Sequence, residues 1–154
     1  MRKCICTRIL CAMKKPSRLE LCNCFAVRQA ARYLTKLYER HLSGAQLTSA
    51  QFTILAALEE AGELTMTELA KLMVMDRTTL VRAMKPLQQE ALIVSQPSVA
   101  DTRRLIFSLS AAGVKRLKKG FALWSNAQQE FEAEIGPGEA ARLRRELLDL
   151  AKPT

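Results

Sequence analysis

Apolar residues recur every three or four positions along several stretches of the chain, which predicts amphipathic helices. One covers residues 23–42, where a single face carries Cys24, Val27, Ala31, Leu34 and Tyr38. Further helices are expected over residues 48–62, 110–135 and 139–151, with glycine near their ends. The pattern predicts a mainly α-helical protein.

Two shorter helices are expected in the middle of the chain. Thr65 and Glu68 form a capping box that starts a helix from Met66 to Leu72. Leu69 and Leu72 fall on one side of this helix, and we expect Val74 in the next turn to bury with them. Asp76 caps the second helix, whose positive end suits a carboxylate.

This second helix has two distinct faces. The apolar face carries Leu80, Ala83, Met84 and Leu87, and the opposite face carries Thr78, Arg82, Lys85 and Gln89. Arginine can bind guanine and glutamine adenine in the major groove, while threonine contacts a thymine methyl or a phosphate. The polar face therefore predicts a DNA recognition helix, the alternative being a merely solvated surface.

A β-hairpin follows. Residues 92–96 and 105–109 are short runs of strand formers, and Pro97, Ser98 and Asp101 between them are turn residues. The tip presents Arg103 and Arg104, and a guanidinium there can enter a narrow minor groove. Asp101 can hold Arg103 in position by a charge-assisted hydrogen bond; the alternative is a surface ion pair worth about 0–1 kcal/mol.

This order of elements predicts a winged helix-turn-helix over about residues 48–110, with flanking helices over about 21–42 and 111–152. A domain of this size cannot bury the apolar faces of all the flanking helices. We therefore expect the N- and C-terminal helices to be dimerisation helices in a homodimer. The alternative is packing within one monomer. Residues 1–20 are expected to be a flexible basic arm ahead of a single domain, 21–154. Candidate dimer contacts are part of 10–38, Ile135, Leu143, Leu147 and Leu150.

Charge and composition agree with a DNA-binding protein. The 154 residues carry a formal net charge of +9, which favours a polyanionic partner, here double-stranded DNA. A membrane is disfavoured because no apolar run approaches ~20 residues. The sequence has one histidine and neither a Gly-rich phosphate loop nor a Ser-His-Asp arrangement, which argues against an enzyme. Five cysteines, an odd number, indicate reduced thiols and a cytoplasmic protein.

The segments "LTMTELAKLMVMDRTTLVRAMKPL" and "DTRRLIFSLSAAGVKRL" resemble the MarR family of bacterial transcription regulators. The resemblance implies an obligate homodimer whose recognition helices enter successive major grooves and whose wing arginine enters the minor groove. It also implies release by a ligand or by oxidation. One departure is Ala91, where the family usually has glycine; a left-handed backbone there costs alanine about 1 kcal/mol. The candidate DNA contacts are Thr67, Arg77, Thr78, Thr79, Arg82, Lys85, Asp101, Arg103 and Arg104.

The segment "CFAVRQAARYLTKLY" is similar to the first helix of the OhrR branch, which senses organic hydroperoxides. The similarity implies that Cys24 is the reactive cysteine and that Tyr38 hydrogen-bonds its sulfur. In one helix the two lie about 21 Å apart, so they meet only if two helices run antiparallel across a dimer axis. Cys22 of the other subunit is a candidate partner thiol. Ser49 replaces a second tyrosine expected in that branch.

Several alternatives remain open at this point. Cys24 can be an inert core residue. The effector can be a small aromatic or phenolic acid near Phe25, Phe121 and Trp124. The protein can also be a winged-helix module that binds proteins, or DNA non-specifically. We expect no cofactor and no metal, because no histidine lies near the cysteines and their spacing differs from a CxxC pair: Cys4, Cys6, Cys11, Cys22 and Cys24.

Overall fold

The computed structural model describes residues 17–99 and 101–152. In these residues the helices are α1 (Asn23–Leu42), α2 (Ser49–Ala61), α3 (Met66–Leu72), α4 (Arg77–Gln89), α5 (Ala111–Ile135) and α6 (Pro137–Leu150). The strands are β1 (Leu64–Thr65), β2 (Ile93–Pro97) and β3 (Leu105–Leu109), and a 3-10 helix covers Ser43–Ala45. The predicted class, mainly α with a small β wing, is confirmed.

The chain divides into two compact units, residues 1–36 and 37–154. The first is described from Ser17 and contains most of α1. Most of the predicted arm, residues 1–20, lies outside the described residues. Leu10, one end of the range of candidate dimer contacts, also lies outside them, and so do Cys4, Cys6 and Cys11. No helix in the described part of the chain is long and apolar enough to cross a membrane.

The second unit packs around one apolar core. Its large, fully buried side chains come from the end of α1 and from α2, α3, α4 and α5: Leu42, Ile54, Leu55, Leu58, Leu69, Leu80, Met84, Leu87 and Leu117. The predicted apolar face of α4 is confirmed, with Ala83 half-buried beside it. Burying this stripe leaves the opposite face of α4 in solvent.

The three strands form an antiparallel sheet in the order β1-β3-β2. The sequence predicted β2 over residues 92–96 with Pro97 in the turn, but the strand is Ile93–Pro97 and Pro97 pairs with Leu105. Proline fits here because β2 is an edge strand, where a missing N–H costs no ladder bond. Strand β1, which pairs Leu64 with Phe107, was not predicted.

The expected burial of Leu72 and Val74 is wrong. Their exposed fractions are 61% and 69%. The side chains of α3 and the following residue that pack on the core are Met66, Leu69, Ala70 and Met73. That set follows the i, i+3, i+4, i+7 spacing from Met66, so the buried stripe is rotated away from Leu72.

The helix boundaries follow local chemistry. Thr65 with Glu68 forms the predicted capping box, Thr48 with Gln51 forms a second one at the start of α2, and Ser110 caps α5. Helix α6 begins at Pro137 rather than Glu139, because the fixed φ of proline suits the first helical position. Ala91 does adopt the left-handed conformation, with φ of 53°.

Candidate nucleic-acid interface

Asp76 fixes the start of α4. Its carboxylate accepts hydrogen bonds from the Thr79 backbone N–H at 2.9 Å and from the Thr79 hydroxyl at 2.6 Å. Those bonds hold the pKa of Asp76 below its ordinary value. The proton of the Thr79 hydroxyl is therefore used inside the protein, which leaves its oxygen to accept a further bond.

Three contacts hold the other end of α4. The Leu92 N–H donates to the Leu87 carbonyl at 2.8 Å, which closes the helix around Ala91. The Ser110 hydroxyl donates to the Ala91 carbonyl at 2.6 Å. Arg116 of α5 donates to Glu90 at 3.1 Å and to the Ala45 carbonyl at 3.3 Å. Helix α4 is thus tied to α5 at its C-terminus and to its own cap at its N-terminus.

The outer face of α4 is open to solvent. Thr78, Arg82, Lys85 and Gln89 are all exposed, as the sequence predicted. Two of these side chains are cationic, and the others carry hydrogen-bonding groups. This face can therefore offer both charge and hydrogen bonds to a polyanionic surface.

The tip of the wing is organised by Asp101. One carboxylate oxygen accepts the Arg103 backbone N–H at 3.1 Å and its Nε at 3.4 Å, and the other lies 3.4 Å from Arg104 Nε. The Ser98 N–H donates to the Arg104 carbonyl at 2.8 Å, which narrows the loop. The Arg103 and Arg104 side chains remain 92% and 73% exposed, so their guanidinium groups stay available to a partner.

A cleft of about 560 Å³ lies between the wing and the helix-turn-helix. It is lined by Thr65, Met66, Thr67, Glu68, Arg77, Arg103, Arg104, Leu105 and Phe107. Four predicted site residues therefore meet here, from three different elements: Thr67, Arg77, Arg103 and Arg104. The other candidates on α4 lie outside the cleft, on the exposed face just described.

The cleft also contains one carboxylate, that of Glu68. It accepts bonds from the Thr65 N–H and hydroxyl, both at 2.7 Å. These bonds lower the pKa of Glu68, and the charge of Arg104 contributes in the same direction. With one carboxylate against three guanidinium groups, the cleft is cationic.

Strand β1 brings these residues together, and sequence reasoning missed it. Leu64 and Thr65 pair with Phe107 and Ile106 of β3, so the start of α3 is fixed beside the wing. Two residues show no detectable periodicity, and the partner strand is distant in sequence. The one available signal for β1 was that Leu64 and Thr65, two residues compatible with a strand, stand at the start of the Thr65–Glu68 capping box.

The predicted sensor residues belong to the two different units. Cys22 and Cys24 are exposed free thiols in the first unit, so a buried, inert Cys24 does not describe the single chain. In the second unit the Tyr38 hydroxyl donates to the Gln128 side-chain oxygen. Burial raises the pKa of Tyr38, which keeps it a hydrogen-bond donor. Contact of Cys24 with a tyrosine across a dimer stays a prediction.

Two aromatic residues of the predicted ligand pocket, Phe121 and Trp124, pack against each other and against Phe52. Phe121 packs edge-on against Phe52 with ring centroids 5.3 Å apart, and against Trp124 at 6.2 Å. Phe25 belongs to the first unit. The structure thus supports an aromatic cluster in the second unit, and the ligand site stays a prediction.

Comparison with known proteins agrees with this geometry. A sequence model of the MarR family matches residues 45–104, which include the helix-turn-helix and most of the wing. The transcriptional repressor NicR of Pseudomonas putida is 31% identical over 115 residues, covering 70% of this chain and 71% of NicR. The organic hydroperoxide resistance transcriptional regulator of Bacillus subtilis is 30% identical over 96 residues, covering 62% of this chain and 65% of that protein.

A solved structure is similar over most of the chain. The transcriptional regulator MOSR of M. tuberculosis, in complex with DNA, is 34% identical and superposes with a TM-score of 0.75. The match covers 84% of this chain and 93% of MOSR. On its fold, its sequence and the placement of its wing, the chain belongs to the MarR family of transcription regulators.

Proposed function

We propose that this protein is a DNA-binding transcriptional regulator, acting as a homodimeric repressor of a pseudo-palindromic operator. The observation that carries the proposal is the cationic cleft between Arg77 of α4 and Arg103 and Arg104 of the wing, which opens beside the exposed polar face of α4. NicR is a repressor and MOSR was solved with DNA, which supports the same assignment. We propose that the protein has no catalytic activity and that it acts in the cytoplasm, where the DNA is.

Each cationic residue has a distinct proposed role. Arg82, with Thr78 beside it, contacts base edges in the major groove, where arginine binds guanine through two hydrogen bonds. Lys85, Thr67 and Arg77 serve the phosphate backbone, which contributes affinity without sequence information. The Thr79 oxygen, which can only accept, is assigned to an amino group of a base edge. Arg103 enters the minor groove, held by Asp101, and Arg104 neutralises an adjacent phosphate.

The test is fluorescence anisotropy of the full-length reduced protein on the DNA upstream of its own gene, with random-sequence competitor. Arg82→Ala should cost about 1–3 kcal/mol of binding to the specific site and relax sequence preference. Arg103→Ala should weaken binding to all sequences and reduce the dependence on salt. Arg145→Ala, an exposed charge on α6, is the control for lost net charge.

Equal competition by random DNA would reject a sequence-specific regulator. It would favour the alternative of a winged-helix protein that coats DNA through phosphate contacts or binds another protein. Retained specificity in Arg82→Ala, with normal folding, would instead reject the role of that side chain and leave the function standing.

We also propose that an effector, either an oxidant at Cys24 or a small ligand, releases the DNA. The exposed Cys24 thiol supports the first route, and so does the relative named for organic hydroperoxide resistance. A hydroperoxide would oxidise the thiolate to a sulfenic acid and leave as the alcohol, and a thiol of Cys22 in the other subunit would then form a disulfide with loss of water.

Organic hydroperoxide added to the preformed complex distinguishes the routes. Release from the wild-type protein but not from Cys24→Ser, reversed by added thiol, supports oxidation. Cys22→Ser should release DNA but yield no intersubunit disulfide on a non-reducing gel. If DNA stays bound to the oxidised wild-type protein, the small-ligand route remains.

A further inference from the structure

Val81 differs from every other exposed side chain of α4. Within this helix, all of which the structure describes, the exposed residues are Arg77, Thr78, Thr79, Val81, Arg82, Lys85, Gln88 and Gln89. Val81 is the one apolar member of that set, with 44% of its surface exposed. The feature to explain is an exposed isopropyl group at the edge of a polar, cationic face.

The position of Val81 on the helix places it among the proposed DNA contacts. It lies four residues after Arg77, which lines the cleft, three after Thr78, and four before Lys85. Residues three and four apart are neighbours on a helix surface, so Val81 is flanked by these three side chains. A partner that touches them also meets Val81.

Valine brings no benefit to the free helix at this site. A β-branched side chain loses rotamer freedom against the preceding turn and is a weaker helix former than lysine, glutamine or arginine. The folded core covers it only in part: the buried Met84 lies one turn further along the helix beside it, yet 44% of the Val81 surface stays exposed. Because valine is a weak helix former, its presence at position 81 of α4 is most simply explained by contact with a binding partner.

We propose that Val81 is a specificity-determining residue that contacts the C5-methyl group of a thymine in the major groove. This inference rests on the proposed function. Among the groups that the four base pairs present in the major groove, the thymine methyl is the apolar one, and the rest are hydrogen-bond donors and acceptors. A protein partner fits less well, because a lone exposed valine between Arg77 and Lys85 is far smaller than the apolar patches that mark protein interfaces.

The size of the effect follows from the size of the group. Burying one methyl against an apolar side chain changes affinity about four-fold. A twofold dimer repeats the contact in both half-sites, so removing both methyls should weaken binding about sixteen-fold. No charge is lost, so the dependence of affinity on salt should stay the same.

The experiment uses a duplex selected from a random-sequence pool by the full-length protein, in which each symmetry-related pair of thymines is replaced in turn by deoxyuridine. This replacement removes only the C5-methyl and keeps every hydrogen-bonding group. For the wild-type protein, one symmetric pair of thymines should show the sixteen-fold loss. Val81→Ala should bind the original duplex more weakly and should no longer distinguish thymine from uracil at that pair.

Val114→Ala is the matched control. It makes the same truncation at a valine with 45% exposure, on α5 and outside the cleft and α4, and it should keep the thymine preference. Unchanged or raised melting temperature of Val81→Ala would exclude misfolding as the cause. If Val81→Ala keeps the thymine preference, or the wild type shows none at any position, the inference is wrong while the regulator stands. If selection yields no preferred sequence, the proposed function fails with it.

Discussion

Three non-glycine residues of the described chain hold a left-handed backbone: Gln46, Val74 and Ala91. Ala91 is the one that ends the recognition helix, where its conformation lets the Leu92 N–H reach the Leu87 carbonyl. L-residues with a Cβ are disfavoured in this region, because the Cβ crowds the following carbonyl oxygen. The recognition helix is therefore stopped by a strained alanine where glycine would be relaxed.

Ala91→Gly is expected to raise the free energy of unfolding by about 0.5–1 kcal/mol, because relief of the Cβ crowding outweighs the greater freedom of glycine in the unfolded chain. Urea denaturation followed by circular dichroism measures it. Ala141→Gly, at an exposed position within α6, should instead lower stability by about 1 kcal/mol. A loss of stability in both variants would show that the φ of Ala91 carries no strain.

Gly113 of α5 lies directly against the backbone that leads into β2. A Cβ built on it would stand 2.0 Å from the Leu92 carbonyl oxygen, far inside any real contact. That carbonyl also accepts the Ser110 N–H, so it cannot move freely. The first turn of α5 thus requires a residue without a side chain.

Gly113→Ala should destabilise the protein by about 3 kcal/mol, because backbone must shift to admit the methyl group. Gly138→Ala, also in a helix but with nothing within 4 Å of its Cβ position, should be neutral or mildly stabilising. Thermal and urea unfolding of the pair would check this. A Gly113→Ala protein as stable as Gly138→Ala would contradict the close packing.

At the level of whole elements, α3 and α4 both depend on carboxylate caps. Glu68 and Asp76 have lowered pKa values because Thr65 and Thr79, respectively, donate hydrogen bonds to them. A folded-state pKa below the unfolded value means that the stabilisation is present above the unfolded pKa and is lost as the pH falls through the folded one. The helix-turn-helix should therefore weaken in acid and be insensitive to pH near neutrality.

Asp76→Asn tests this dependence, since asparagine also caps helices but does not titrate. The variant should show a shallower fall in stability below about pH 4, where free Asp begins to protonate. Stability from urea titrations over a pH series gives the comparison. Glu59→Gln, an exposed carboxylate of α2 outside a cap, should retain the wild-type slope. Parallel curves for Asp76→Asn and the wild type would rule out a role for this cap.

Elements with short-range determinants were the ones predictable from sequence. The Thr65–Glu68 box and the Asp76 cap act over three residues, and α3 and α5 begin and end where the sequence predicted. The buried side of α3 was not predictable, because periodicity defines a stripe but not which neighbour covers it, and Leu72 and Val74 proved exposed. The cleft was missed for a related reason: Arg77 and Arg103 line it together, and the pairing of β1 with β3 that fixes α3 beside the wing leaves no periodic signal in the sequence.

At the scale of the whole molecule, one group of exposed apolar side chains lies where the sequence expected a second copy. At the end of α5 and in α6, four apolar side chains are exposed, with exposed fractions of 40% for Ile135, 36% for Leu147, 63% for Leu148 and 77% for Leu150. Three of these were named as dimer contacts, whereas Leu148 was not. Covering them in a twofold interface would remove apolar area from water and place two recognition helices on one duplex.

Leu147→Glu combined with Leu150→Glu should therefore convert the protein to a folded monomer, because two buried carboxylates per subunit would oppose association. Sedimentation equilibrium should give the mass of one chain, and binding to a duplex with two half-sites should fall by at least about 100-fold once the linked second contact is lost. Leu72→Glu places one such charge on a leucine of the helix-turn-helix that is 61% exposed, and should leave the mass at two chains. A double variant that remains dimeric would move the interface away from α6, and would leave its leucines without an assigned partner.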